Sequence, residues 1–554
     1  MVKLIKNTLT LLIRQQTSIF SAASIIMVTV AFSRVLGLYR DRLLAARFPP
    51  AELGVYYAAF RLPNMIFELL VMGALATAFI PVFTSYLDTK GKTEAFKMAA
   101  VLINIGIIIF SVMAIPVFIF AKQISLFLAP GFSSSQIELM TSFTRIMILA
   151  QVFPLIIGNF FTGILQSFKN FLLPSIAPVV YNLGIIIGII FLTPVFGLYA
   201  PVIGVVIGAF LFTFIQLPAV FSFGYRHSFD LSTSNRGVRE VGRLMLPRTL
   251  GLAVSQIDTT VDLILSSLLG SGAVTVFNFA QHLQQVPIGL FGSSIAQATL
   301  PALSFAYAKK NMSDYKKIFL SSFHQIFFLV VPISVILIVL RIPIVRLVFG
   351  SSTLFDWNST VVTGQTLAYF SLSLFAQSLI QLLARSFYSL HDTKTPVVIG
   401  GFCVILNTVL SVLFILYFHL DVWSLGLSTS VANIVNMVLL LLYLQKKIEG
   451  FNNYQVYMPV VKILLSGIVA GVALYLPIKI LDQLVFDTTR TINLILLTGT
   501  STLIGIFVYI FTAWFLDVPQ IALLVKLYRR KKDKKTPIYI DTAKEMVDAK
   551  EADL

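Results

Sequence analysis

The sequence predicts an all-α polytopic membrane protein: 14 transmembrane helices, built as two six-helix lobes related by a parallel repeat, plus two C-terminal helices. Three observations carry this prediction. The 554 residues are 57% hydrophobic and only 12% charged, with mean hydropathy +0.90, where a soluble domain has roughly 25% charged residues. Apolar windows of about 20 residues, enough to cross a bilayer as a helix, recur along the whole chain. Segments of the first half can be laid on the second at a nearly constant offset of about 221 residues.

The windows start near Ile19, Ala59, Lys97, Gln136, Leu172, Leu198, Leu246, Val276, Ile318, Val361, Thr395, Val422, Pro459 and Ile492. Their length argues against barrel strands, which need only about 9 to 11 alternating residues. The first run, Ile19 to Phe32, lacks a small-residue cleavage site and continues into SRVLG, so it reads as a retained span and not a signal peptide. Basic residues of the connections set the orientation. An inside N-terminus puts Lys90, Lys92, Lys97, Lys169, the Arg226 to Arg248 group, Lys309, Lys310, Lys316, Lys317, Arg385, Lys394, Lys446 and Lys447 on the cytoplasmic side, together with both termini. The expected division is 1–223 for the first lobe, 224–248 for a basic cytoplasmic linker, 249–447 for the second lobe, 448–526 for the last two spans and 527–554 for a cytoplasmic tail.

The repeat rests on four places. YYAAFRLPNMIFELLVMGALATAFIPVF (56–83) lies on FNFAQHLQQVPIGLFGSSIAQATLPALS (277–304), which sets Arg61 opposite His282 and Pro81 close to Pro301. LQSFKNFLLP (165–174) lies on ARSFYSLHDTKTP (384–396), and Asp41 falls opposite Asp262. Six helices per half is an even number, so the halves share one orientation and are related by an axis along the membrane normal.

Composition also excludes several classes. The net charge of +17 sits in short clusters between apolar runs, without the aromatic interleaving of a nucleic-acid groove; it reads as cytoplasmic anchoring charge, and nucleic acid is not an expected partner. Cys403 is the single cysteine, so no intramolecular disulfide forms. His227, His282, His324, His391 and His419 lie in separate segments without metal-ligand spacing, and there is no Walker A loop. The expectation is a non-enzymatic protein doing secondary transport or equilibration, with no cofactor beyond a coupling Na+ or H+.

The charges inside the spans are the candidates for function, because each costs about 2.5 to 3.5 kcal/mol on insertion scales. Arg34, Arg40, Asp41 and Arg61 lie in or beside the first two windows. On helical spacing Arg34, Gly37 and Asp41 share a face, which gives Arg34 an acid two turns along and points Arg40 elsewhere. Interfacial snorkelling is the bland account of these arginines; phosphate recognition by the guanidinium fork is the functional one. Ser255, Asp258, Asp262 and Ser266 form a stripe in the seventh window, suited to a cation or proton or to pairing with first-half arginines. Asn182, Asn407, Asn433 and Asn436 read as interhelical glue.

SRVLGLYRD, FRLPN with GALATAFIPVF behind it, the LQSF…P element and the six-plus-six-plus-two plan together resemble the MurJ (MviN) family of the multidrug/oligosaccharidyl-lipid/polysaccharide exporter superfamily. The resemblance covers the whole chain, and its specific motifs lie in the first two helices. It implies a flippase that moves lipid II, the undecaprenyl-pyrophosphate-linked peptidoglycan precursor, across a bacterial cytoplasmic membrane by alternating access between two lobes, with the last two helices forming a groove for the lipid tail and cell-wall synthesis proteins as partners. It places the substrate-binding charges on Arg34, Arg40, Asp41 and Arg61. Two family arginines are missing: Phe67 followed by Glu68 stands at one position and His282 at the other. The family's cation site falls on Asp262 and Asn407, with Ser411 where an acid is expected. Two other classes stay open: another exporter of the superfamily, for a polyprenyl-linked glycan or a drug, and a non-transporting membrane scaffold.

Overall fold

The computed structural model describes residues 19–69, 78–350, 352–451, 453–481 and 490–521, and every regular element among them is helical. All of GALAT (73–77) in the second motif, the tail over 527–554 and the side chain of Ser255 lie outside the described residues. The first half comprises α1 (Ile19–Arg47), α2 (Pro50–Ala59), α3 (Arg61–Phe67), α4 (Ile80–Ile119), α5 (Ala121–Leu128), α6 (Ser134–Ala150), α7 (Val152–Ser167), α8 (Leu172–Ile187), α9 (Thr193–Phe196), α10 (Tyr199–Phe214) and α11 (Leu217–Ser222). The second comprises α12 (Arg236–Leu268), α13 (Ser271–Pro287), α14 (Ser294–Ala308), α15 (Met312–Val339), α16 (Arg341–Phe349), α17 (Trp357–Ser371), α18 (Leu374–Ser389), α19 (Lys394–Val412) and α20 (Trp423–Lys447). A pair, α21 (Asn453–Leu481) and α22 (Thr491–Phe515), follows and packs on itself and against α15.

Among the described residues ten helices are long and apolar enough to cross a membrane, or eleven if α17 and α18, bent by 43°, form one span. The other three windows read from the sequence fall on α1, on α2–α3 and on α12, the elements that hold Arg34, Arg40, Asp41, Arg61, Asp258 and Asp262. The architecture is consistent with fourteen spans. The connection expected over 224–248 is irregular only as far as Asn235; from Arg236 it continues without a break into the seventh span.

The repeat is written in the places where helices break. α4 gives way to α5 at Phe120 and α15 to α16 at Leu340; α6 meets α7 at Gln151, and α17 meets α18 at Leu372 and Ser373. Left-handed residues in the connections pair as Lys169 (φ 59°) with His391 (φ 58°), and as Gly197 (φ 52°) with His419 (φ 51°). A π-helical turn begins at Glu68 and another at Ile288. All of these pairs lie about 220 residues apart.

Two local devices shape the first lobe. Pro63 cannot donate to the carbonyl of Ala59, so the second span breaks at Phe60, and the freed carbonyl takes a hydrogen bond from Thr144 Oγ1 at 3.3 Å. Between α8 and α10, Gly184 and Gly188 face Gly208 and Gly204 so closely that a Cβ on Gly184 would overlap the Gly208 backbone. This is small-residue packing, where contact without a hydrophobic driving force depends on close backbone approach.

The lobes close on each other at one end, that of the connections 48–49, 129–133, 269–270 and 352–356. A Cβ on Gly54 would overlap the Ser271 carbonyl, and one on Gly131 the Ser267 carbonyl. Thr275 Oγ1 donates to the Pro50 carbonyl at 2.6 Å, Gln136 Nε2 to Ser271 Oγ at 2.8 Å, Ser352 Oγ to the Ala45 carbonyl at 3.2 Å and Arg42 Nη1 to the Leu347 carbonyl at 2.5 Å. The larger apolar core runs through both lobes; a second one is built around α4 and α7 of the first.

Candidate functional site

Asp41 is the centre of a polar cluster that joins the lobes. Its carboxylate is 1% exposed and is approached from three helices. Arg40 of the same helix donates to Oδ1 through Nε at 3.0 Å and Nη2 at 2.8 Å, Tyr57 of α2 adds its hydroxyl at 3.3 Å, and His282 of α13 sets Nδ1 2.8 Å from Oδ2. Arg40 Nη1 reaches Asn182 Oδ1 of α8 at 3.1 Å. A buried carboxylate has to be matched by donors or it destabilises the fold by several kcal/mol, and here all three come from elements packed around it.

This corrects the pairing read from helical spacing. Neighbours in a helix do not face each other, and Arg34 shares the face of Asp41; yet the partner of Asp41 is Arg40. The three-carbon stem of Arg40 lets its guanidinium fold over the adjacent position, where the carboxylate is the nearest acceptor. Arg34 is exposed, lies opposite Gly289, and makes no hydrogen bond or ion pair with a described residue. Arg42, one residue past Asp41, bonds a carbonyl across the lobe interface.

Arg61 is buried and also crosses between lobes. It donates to Thr260 Oγ1 from Nε at 3.0 Å and Nη2 at 2.8 Å, and Nη2 donates to the Gln256 carbonyl of α12 as well. Its Nη1 has no partner among the described residues. Gln256 Nε2 in turn donates to Glu68 Oε2 at 2.5 Å. Burial of this arginine excludes simple snorkelling, because its head lies against protein and not at the headgroups.

Asp258 accepts from Asn407 Nδ2 at 2.8 Å. Asp262, one turn on, is buried, and its Oδ1 lacks a partner among the described residues, as does Asn407 Oδ1. Asn407 therefore pairs with Asp258 and not with Asp262, and Ser411 is taken up by Ser428 at 2.6 Å. Two orphaned oxygens beside a second carboxylate fit a proton or a monovalent cation. Among the described residues no three His, Cys, Asp or Glu side chains form a metal cluster.

Arg40, Arg61, Tyr57, Glu68 and His282 all line one cavity of about 430 Å³ between the lobes, together with Asn278 and Ser266. Arg34 is not among the lining residues. The structure thus brings together Arg40, Asp41, Arg61 and His282, and adds Tyr57, Asn182, Thr260 and Gln256, which the sequence reading had not placed at the site. From the sequence Asn182 reads only as interhelical glue. No spacing rule links residues 142 or 199 positions apart, so the repeat was the only sequence signal that connected the halves.

Two repeated helical halves that enclose a polar cavity share the fold of solved MOP-superfamily proteins. An inward-facing multidrug resistance MATE family transporter of that superfamily superimposes with TM-score 0.64 at 17% identity, over 76% of this chain and 98% of that one. The solved structure of a lipid II flippase MurJ in an inward closed conformation superimposes with TM-score 0.74 at 24% identity, over 88% of this chain and 98% of that one. The family described as lipid II flippase MurJ matches residues 51–494, and the chain belongs to it. Curated relatives include the lipid II flippase MurJ of Burkholderia cenocepacia, 28% identical over 75% of this chain and 81% of its own length, and the probable lipid II flippase MurJ of Bdellovibrio bacteriovorus, 28% identical over 88% and 93%.

Proposed function

We propose that this protein flips lipid II from the inner to the outer leaflet of a bacterial cytoplasmic membrane by alternating access of its two lobes. The observation that carries the reading is the meeting of Arg40, Arg61 and His282, from both lobes, around one cavity at an interface sealed at one end. The connections at the opposite end carry most of the lysines and arginines, which supports a cytoplasmic assignment for that end and for both termini. The closed end then faces outward, and the cavity is poised to load from inside.

The donors left free define the grip. Arg61 keeps Nη1, and His282 keeps Nε2, for a pyrophosphate oxygen. Arg34 lies six residues before Arg40, about 9 Å along α1 toward the loading end, and supplies the first positive charge that an incoming anion meets. Asp41 holds Arg40 and His282 in place and is the group that the pyrophosphate competes with. Asp258, Asp262 and Asn407 would carry a coupling proton or Na+. Export of an anion from a negative interior is itself favourable by roughly 2.3 kcal/mol per charge per 100 mV. The lobe boundaries near 223 and 249, the α21–α22 groove for the lipid tail, and contacts with cell-wall synthesis proteins belong to the same reading.

Complementation tests it. In a cell depleted of its own lipid II flippase, the wild-type chain should restore growth and the appearance of lipid II at the outer leaflet. Arg61→Ala should fail at normal membrane levels. Rescue by Arg61→Ala equal to wild type, or no rescue by a wild-type chain that reaches the membrane, would refute the assignment and favour another polyprenyl-linked glycan, a drug or a scaffold role.

A further inference from the structure

A second concave site, of about 450 Å³, opens away from the cavity between the lobes, where α4 meets the connection that leaves α11. Its walls carry three cations: Lys92 and Lys97 from α4, and Arg226 from the connection. Phe96 and Phe223 supply apolar surface beside them. Both rings stack on Phe168, with centroids 5.8 Å and 4.6 Å away, so this surface is rigid.

The connection is built into place. Gly224 (φ 98°) turns the chain out of α11, a conformation that favours glycine. Asn104, buried in α4, then donates to the carbonyls of Ser228 at 2.8 Å and Asp230 at 3.0 Å. This holds Arg226 and Ser228 on the pocket wall. Lys97 faces Asp230 across 3.6 Å, and the Lys92 ammonium lies 5.6 Å from the Phe168 ring. Among the described residues Lys92 and Arg226 have no anionic partner, and the buried Ser228 hydroxyl has no hydrogen-bond partner. With Asp230 counted, the pocket keeps an excess of two positive charges and a spare donor.

The surroundings indicate what kind of anion. Phe221, Phe229 and Leu231, on α11 and the connection that follows it, are 55%, 89% and 50% exposed, and large apolar side chains so exposed do not belong in bulk water. Apolar side chains beside lysine and arginine at a helix end suit the headgroup layer, where basic pockets between spans take anionic lipid heads.

We propose that this pocket binds the phosphodiester of an anionic phospholipid headgroup. Arg226 and Lys92 grip the phosphate from two sides, the acyl chains lie over Phe221 and Phe229, and the bound lipid ties the connection between the lobes to α4. The proposal needs only the membrane setting and is independent of what the central cavity carries. Free phosphate shares the headgroup chemistry, so the test separates the two sources.

Full-length protein is reconstituted in mixed phosphatidylglycerol and phosphatidylcholine, and the lipid it retains after extraction is counted by native mass spectrometry. Wild type and a Lys309→Gln, Lys310→Gln, Lys316→Gln control should retain phosphatidylglycerol in preference by about tenfold or more. A Lys92→Gln, Lys97→Gln, Arg226→Gln variant, and the milder single Arg226→Glu, should lose that preference while keeping the wild-type melting temperature. Equal loss in the control would reduce the effect to general surface charge and overturn the proposal, as would unchanged retention in both pocket variants. Displacement of the lipid by millimolar inorganic phosphate would overturn the lipid as the source.

Discussion

His282 can hold a phosphate oxygen in one protonation state only. Its Nδ1 lies 2.8 Å from a carboxylate oxygen of Asp41, and a carboxylate accepts hydrogen bonds but donates none. Nδ1 therefore carries a hydrogen whichever form the ring takes. In the neutral ring Nε2 then presents a lone pair to the cavity and repels phosphate; in the imidazolium it presents N–H. Asp41 and Tyr57 lie against the ring. His282→Arg, which presents N–H donors at the same place, should keep substrate affinity, and His282→Gln should weaken it. Binding of labelled lipid II decides it: wild-type affinity in His282→Gln would remove His282 from the phosphate grip. Loss of Asp41 acts differently, because Asp41→Ala leaves the half-buried Arg40 without its counter-ion, a change that costs up to about 3 kcal/mol. It should lower the melting temperature as well as the affinity.

At the scale of elements, small residues and helix breaks set where the charges sit. Gly184 and Gly188 bring α8 against α10, and α8 carries Asn182, which anchors Arg40. Gly184→Ala forces the two backbones apart and should destabilise the protein by about 1 to 3 kcal/mol, read as a lower melting temperature together with weaker substrate binding. Gly400→Ala, where an added methyl group meets nothing within 4 Å, should be neutral or slightly stabilising. If the two variants melt alike, close packing of α8 on α10 is not what positions Asn182. The windows, the repeat and the charges within the first two helices were legible because hydropathy and spacing are local properties. The Arg40–Asp41 pairing was not, because a long side chain can turn to a neighbour that the helical wheel places on another face. Nor were Thr260 and Gln256 as partners of Arg61, since α12 reaches α3 only through the packing of one lobe on the other.

For the whole molecule, orientation and motion can be tested with cysteines placed in a Cys403→Ala background. Exposed Ser134 lies at the closed end and exposed Ser313 at the opposite end. Ser134→Cys should react with an impermeant thiol reagent on intact cells, and Ser313→Cys only after permeabilisation; the reverse result would invert the topology and with it the loading direction. Alternating access further requires the closed end to open during each cycle. A Cβ on Gly272 would lie 3.9 Å from the Cβ of Pro50, within the range of about 3.5 to 4.5 Å that a disulfide spans. Pro50→Cys with Gly272→Cys should therefore cross-link the lobes under mild oxidation. The cross-link should stop flipping while substrate still binds from inside, and reduction should restore transport. A cross-linked protein that flips at the wild-type rate would show that the lobes need not separate at this end, and the alternating-access mechanism would fall.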